Sequence, residues 1–324
     1  MGLLINGKWD ADASMIPVAA GHFVREPTAF RDVVTADGSS GFPAAPGRYH
    51  LYVAYHCPWA WRTILFRQLK RLGQVISMTI AIPNDRRGGW EFGDYPGCAP
   101  DTLNGYTHLH QVYTAARPDY TGTVSVPVLW DREHRTIVNN ESAEIIRMLN
   151  SAFAAYTDDR HDYYPEALRA DIDAVNERVY RGLNNGVYRC GFARTQEAYA
   201  EAYELLFETL DWLDDKLSRQ RYLVGDRITE ADWRLLASLL RFDLVYYSLF
   251  KCNQRQIASY PQLSNYLREL YQHPGVAGTV NLAHFIRGYY SIPVTNPSGI
   301  IPLGPKVHEA WLRQPHDRER FASG

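Results

Sequence analysis

Apolar and polar residues follow two different rhythms along this chain, extended early and helical late. In the early part, Arg48-Tyr49-His50-Leu51-Tyr52-Val53-Ala54 predicts a strand, and Thr63-Ile64-Leu65-Phe66-Arg67-Gln68-Leu69 has the apolar spacing of a helix. Val75 to Ile82 follows as a largely buried second strand, which completes a βαβ unit, right-handed by rule. Val124 to Trp130 and Thr136 to Asn139 predict two more strands, joined by the polar turn Asp131-Arg132-Glu133-His134. Pro127 interrupts the first of them. Proline inside a strand belongs at an edge, a bulge or the first position, so Val126-Pro127 is expected as a cis bond that frees the Val126 backbone to pair with something external. Asn140 is the expected cap of a helix starting Glu141-Ser142-Ala143-Glu144, whose first-turn amides point outward, ready for a carboxylate.

After about residue 156 the rhythm turns helical. Leu168, Ile172, Val175 and Val179 form one stripe and Leu206, Leu210, Leu213 and Leu217 another, as expected of helices with one buried face. Thr229-Glu230-Ala231-Asp232 reads as a capping box with Asp in place of the usual Glu, and Pro261 to Gln272 as a further amphipathic helix. Between these blocks and at both ends the pattern breaks. Residues 1 to about 47 predict a mostly irregular arm pinned to the body by Trp9, Phe23 and Phe30, and the tail from Asn296 is expected to be extended. Pro83 to Gly122 reads as a loop too long to be a mere connection, with Trp90 either a rim aromatic of a binding cleft or an anchor of the loop.

Length and charge narrow the picture. The 324 residues suit two domains, and 34 basic against 36 acidic residues without long runs leave no electrostatic footprint for nucleic acid or an anionic membrane. The apolar run at the start is too short for a signal peptide, Asn6 stands where a myristoylation motif wants Ser or Thr, and no stretch approaches a membrane span. Cys57, Cys98, Cys190 and Cys252 fit no zinc spacing, which predicts a reducing compartment, the cytoplasm, and no metal.

Cys57 carries the candidate chemistry. It falls at the strand-to-helix turn Tyr55-His56-Cys57-Pro58-Trp59-Ala60, where Pro58 suits the first helical turn. A sulfur at that point faces the amides and partial positive charge of the helix N-terminus, which favour thiolate over thiol and make the cysteine a nucleophile. Inert burial is the alternative. The Cys-Pro turn resembles the active-site turn of the thioredoxin-like superfamily, with Ala60 where a second cysteine would stand. No resolving cysteine is at hand, so the partner thiol is expected from outside, and glutathione is the usual cytosolic source.

The βαβ unit with Cys-Pro, then Val-Pro before a hairpin, then Glu-Ser opening a helix, then a helical half resembles a glutathione transferase. Cys57-Pro58-Trp59-Ala60, Gly89-Trp90-Glu91-Phe92, Val126-Pro127-Val128-Leu129-Trp130-Asp131, Asn140-Glu141-Ser142-Ala143-Glu144-Ile145, Asn184-Asn185-Gly186-Val187-Tyr188 and Asn296-Pro297-Ser298-Gly299-Ile300 together resemble the glutathionyl-hydroquinone reductases, the Xi class. One departure is Trp61, where the motif of that class carries His. The resemblance implies an α/β plus all-α fold: an irregular arm and a thioredoxin-like glutathione-binding domain over 1–156, then an all-helical acceptor-substrate domain with an extended tail over 157–324.

It also implies an activity. A glutathionylated aromatic hydroquinone would lose its glutathione to Cys57, and a second glutathione would release oxidised glutathione without metal or redox cofactor. Tyr188 and Tyr289 are the implied proton donors to the ring, with Tyr246 as a further wall of the acceptor pocket. Val126 and Pro127 would pair with the tripeptide backbone, Glu141 and Ser142 would hold its γ-glutamyl end, and Trp90 would line the cleft. A homodimer is expected. The residues leave two other readings open: an omega-like thioltransferase or dehydroascorbate reductase, and a catalytically silent binding protein on the same fold.

Overall fold

The strand pattern around residue 50 folds into a mixed four-stranded sheet. In the computed structural model, which describes residues 2–13, 18–85, 87–305 and 309–321, Tyr49–Val53 (β5) pairs in parallel with Ser77–Ile80 (β6) and antiparallel with Val128–Asp131 (β7), which pairs in turn with Thr136–Asn139 (β8). The helix Pro58–Leu69 (α1) links the two parallel strands. All five residues of β5 are buried, as a central strand covered on both faces requires. Pro127 lies just before β7 rather than inside it, so no ladder bond is lost, and the Val126-Pro127 peptide is cis.

By packing, the chain divides into two units that are not contiguous in sequence. The first holds the residues described before 14, then 26–161 and 287–292; the second holds 18–25, 162–286 and those described from 293 on. The first is α/β. The second is helical but for one small hairpin, with a 24-residue helix, Gln196–Arg219 (α6), whose Leu206, Leu210, Leu213 and Leu217 are fully buried. No described helix is long and apolar enough to cross a membrane.

The expected capping box is present ahead of Glu230–Arg241 (α7): Asp232 Oδ2 accepts from the Thr229 amide at 2.7 Å while the Thr229 side chain caps the helix in return. The same buried carboxylate also accepts from the Leu223 amide and the Tyr266 hydroxyl. Burial pushes it above the usual carboxylate range in spite of those bonds.

The arm is mostly irregular, as expected, but for two short hairpins in which Leu3–Ile5 (β1) pairs with Lys8–Asp10 (β2) and Val18–Ala19 (β3) with His22–Phe23 (β4); two other expectations are corrected. The first hairpin turns through Asn6 and Gly7 at φ 47° and 74°, the conformation that Asn-Gly favours. The long loop contains a helix, Leu109–Ala116 (α2), capped by His108 with Gln111 returning the bond, a cap that a search for Ser, Thr, Asp or Asn misses. Asn140 does not cap the next helix: Glu141 does, its Oε1 accepting from the Ala143 amide at 3.1 Å, and the helix runs Ser142–Ser151 (α3). As expected, the arm aromatics are anchors. Trp9 stacks on His110, Phe30 packs against Tyr113 and Tyr120, and Phe23 packs against Tyr188 and Phe192.

Inside the sheet, His50 is buried with its ring nitrogens 2.7 Å from the Ser77 hydroxyl and 3.0 Å from that of Thr79. Burial lowers its pKa from 6.5 to about 4. A histidine held neutral in the fold and free to protonate when unfolded contributes stability that is whole above about pH 6.5 and fades as pH falls toward 4, at most about 3 kcal/mol. Urea unfolding at pH 7 and pH 4.5 is expected to show that loss in the wild type and a smaller one in His50→Gln; equal losses would remove His50 as the cause.

Candidate active site

Cys57 is the N-cap of α1, with extended φ and ψ of -74° and 118°, and Pro58 occupies the first helical position. Both features follow from the sequence. The thiol is 8% exposed and donates toward the Val126 carbonyl at 3.7 Å, so nucleophile and cis-proline turn meet in the first unit. Ala60 and Trp61 are fully buried in α1, and Trp61 therefore serves the core. Arg62 stacks its guanidinium on Trp59, 4.6 Å from the ring centroid.

Glu141 and Ser142 stand at the head of α3. The Glu141 carboxylate already caps its own helix, the structural role open to any acid there, and its second oxygen lies 3.5 Å from the Thr28 hydroxyl. The Ser142 hydroxyl is buried and has no hydrogen-bond partner among the described residues. A buried hydroxyl left unpaired costs about 1–3 kcal/mol, and such atoms cluster where a ligand completes the bonding.

A connection invisible in the sequence joins these two places. The Tyr113 hydroxyl on α2 donates to the Ser125 carbonyl at 2.8 Å and accepts from the Ser125 amide at 3.2 Å and from the Asn140 side chain at 3.0 Å. Asn140 in turn accepts from the Phe30 amide. One phenol oxygen thus fixes the residue before Val126 and the residue before Glu141. Tyr113→Phe keeps the ring and strands those groups, so the affinity for glutathione measured by calorimetry is expected to fall about tenfold, with unchanged affinity as the contrary result.

Trp90 is buried, not at a rim. Its indole donates to the Val124 carbonyl at 3.1 Å and its ring stacks on His56 at 5.3 Å, so it anchors the loop against the strand entry and the nucleophile's neighbour. On the other side of His56 comes the last turn of the helix Leu282–Tyr290 (α10): the Tyr289 ring meets His56 edge-on at 6.5 Å. Gly288 permits this, since a Cβ there would stand 2.3 Å from the His56 ring. Tyr289 is 4% exposed.

Tyr188 and Tyr246 belong to the second unit. Tyr188, on Gly186–Phe192 (α5), packs against Phe23, Phe192, Tyr246 and Phe250, and Tyr246 is completely buried beside it. Two π-helical turns, Tyr180–Asn184 and Phe242–Tyr246, lead to these tyrosines. Such turns are rare and concentrate at functional sites, a signal that apolar periodicity does not carry. In the same unit the Cys252 thiol donates toward the Phe250 carbonyl at 3.7 Å, and all four cysteines are thiols.

Comparison with known proteins agrees with this layout. Residues 56–152 match the N-terminal domain of glutathione S-transferases and residues 196–269 their C-terminal domain. The glutathionyl-hydroquinone reductase PcpF of Sphingobium chlorophenolicum is 50% identical over 94% of this chain and 96% of its own. The glutathionyl-hydroquinone reductase YqjG of Escherichia coli K12 is 46% identical over 98% and 99%. The structure of a Xi-class transferase from Natrialba magadii superposes with a TM-score of 0.91 at 42% identity, covering 99% of this chain and 97% of that one.

The chain belongs to the Xi class of glutathione transferases. Its sheet-bearing first unit and helical second unit are the two parts of that fold. Within the transferase, Cys57, Trp90, Val126, Pro127, Glu141, Ser142 and Tyr289 fall in one packing unit, and Tyr188 and Tyr246 in the other. Tyr113, Asn140, His56 and Gly288 support that first group in roles that the sequence does not show, since each acts through a partner distant in the chain.

Proposed function

We propose that this transferase removes glutathione reductively from glutathionyl-hydroquinones. The observation that carries the reading is the Cys57 sulfur at the head of α1, 3.7 Å from the Val126 carbonyl, in a chain 50% identical to a glutathionyl-hydroquinone reductase. Glutathione would pair its backbone with Val126 ahead of Pro127 and bring its γ-glutamyl end to α3. There Glu141 faces the amino group, while the unpaired Ser142 hydroxyl and the helix amides suit the carboxylate. Trp90 contributes by holding His56 and Val124 beneath that cleft.

The chemistry is a pair of exchanges at sulfur. An aryl thioether resists direct attack because an aryl carbanion leaves poorly, so the hydroquinone ring first adopts its keto tautomer. The Cys57 thiolate then attacks the glutathionyl sulfur, the carbon–sulfur pair moves onto the ring oxygen, and a phenol proton neutralises it. Tyr188 and Tyr289 are the donors in this reading, with Tyr246 backing Tyr188. A second glutathione thiolate attacks the Cys57-glutathione disulfide, giving oxidised glutathione and the free cysteine. The ring carbon gains a hydrogen and two electrons, while the thioether sulfur and the sulfur of one glutathione thiol are joined as one disulfide and Cys57 is regenerated.

Mass spectrometry of the protein mixed with one equivalent of a glutathionyl-hydroquinone tests this directly. A glutathione adduct on Cys57 together with free hydroquinone is the expected result; free hydroquinone absent from an otherwise folded sample would end the proposal. The low exposure of Tyr188 and Tyr289, 9% and 4%, favours a second reading in which the enzyme reduces mixed disulfides through Cys57 alone. We further place the protein in the cytoplasm as a homodimer joined through its helical parts, for which light scattering giving the mass of one chain is the contrary result.

A further inference from the structure

The arm delivers a charge to the aromatic cluster of the second unit. Beyond the hairpin β3–β4, Arg25 lies with its guanidinium carbon 4.9 Å from the centroid of the Tyr188 ring and 5.3 Å from that of Phe23. Its Nε donates to Asn185 Oδ1 at 2.9 Å. The preceding Asn184 is tied instead to the Ser238 hydroxyl at 2.7 Å, so the Asn-Asn pair ahead of Tyr188 has two separate duties. One asparagine fastens the π-helical turn to α7, and the other orients Arg25. The hairpin itself is fixed to the same unit by the Arg194 amide donating to the Gly21 carbonyl at 2.9 Å and by His22 with Glu201 at 3.8 Å. Arg25 is half-buried, where water screens its charge less than at an open surface.

We propose that Arg25 is a positioning residue for the deglutathionylation, acting through Tyr188. The inference rests on the function proposed above. As the carbon–sulfur bond breaks, its electron pair reaches the ring oxygen; Tyr188 gives that oxygen its proton and is left as a tyrosinate, which solvent later reprotonates. A guanidinium held against the Tyr188 ring stabilises that anion as it forms and also keeps the ring in place by cation–π contact with the neutral phenol. The charge therefore acts on the step in which the ring departs. Exchange between a mixed disulfide and glutathione produces no such anion.

The test compares Arg25→Gln and Arg25→Lys on two substrates, a glutathionyl-hydroquinone and the mixed disulfide of glutathione with 2-mercaptoethanol. For the hydroquinone conjugate, Arg25→Gln is expected to lower kcat about ten- to a hundredfold with little change in KM, and Arg25→Lys to recover most of the loss. Turnover of the mixed disulfide should stay within about twofold of wild type, which also shows that the variant is folded. In a Tyr188→Phe background, adding Arg25→Gln should cost nothing more, because the group it acts through is gone. Equal loss on both substrates, no recovery with lysine, or a full further loss in the Tyr188→Phe background would each overturn the role of Arg25. Wild-type protein that turns over only the mixed disulfide would instead remove the proposed function itself.

Discussion

Cys57→Ser is expected to abolish thiol transfer from every substrate while leaving glutathione binding measurable. Serine keeps the size and the N-cap position ahead of Pro58, so the fold loses little. It cannot keep the chemistry, because a hydroxyl is not ionised near neutral pH and an oxygen–sulfur product would not exchange with a second thiol. A loss of at least about a thousandfold in kcat is the order to expect when the nucleophile at the helix start is removed. Binding should survive, since Val126, Glu141 and Ser142 are untouched and the Tyr113 bonds that organise them do not involve the sulfur. Calorimetry with glutathione and turnover of a glutathionyl-hydroquinone measure the two quantities separately. Activity within a few-fold of wild type would sink the mechanism.

The second large effect separates ring chemistry from disulfide chemistry. Replacing Tyr188 and Tyr289 together with Phe preserves two buried rings, the packing of Tyr188 on Phe192 and Phe250 and the edge contact of Tyr289 on His56. It removes two hydroxyl donors. Turnover of glutathionyl-hydroquinones is expected to fall about ten- to a thousandfold, the range in which a positioned proton donor contributes to a transition state. Reduction of a small mixed disulfide needs neither donor and should be nearly unchanged. Equal loss of both activities would reduce the tyrosines to shape, and equal retention would favour the thioltransferase.

The framework of the fold was legible wherever a short stretch carries its own reason. The apolar, β-favouring run around Leu51, the Cys57-Pro58 turn, the Val126-Pro127 bond and the Thr229-Asp232 capping box each need only neighbouring residues, and each is present. The Asn6-Gly7 turn was equally local and should have announced its hairpin. What could not be read depends on pairs far apart in the chain. Tyr113 bonds to Ser125 and Asn140, Gly288 makes room for His56, and Arg25 reaches Asn185 across 160 positions. The resemblance named Tyr188 and Tyr289 without indicating that they fall in different packing units, and apolar spacing gave no sign of the π-helical turns beside Tyr188 and Tyr246. Asn140 shows the limit of a local rule. Its type and place suit a cap, but its side chain is taken by Phe30 and Tyr113, and the capping bond passes to the next residue.

The interleaved division of the chain sets an order of events during synthesis. A ribosome releases residues 26–161 long before 287–292, yet both belong to the first unit. The sheet with Cys57 can therefore assemble early, while the turn bearing Gly288 and Tyr289 joins it only after most of the helical part has emerged. Residues 18–25 wait in the opposite sense, made early and placed only when Tyr188 and Phe192 exist to receive Phe23. Until residues 287–292 emerge, the nascent chain carries Cys57 without the Tyr289 ring that meets the neighbouring His56, so the thiol is present before the packing around it is complete.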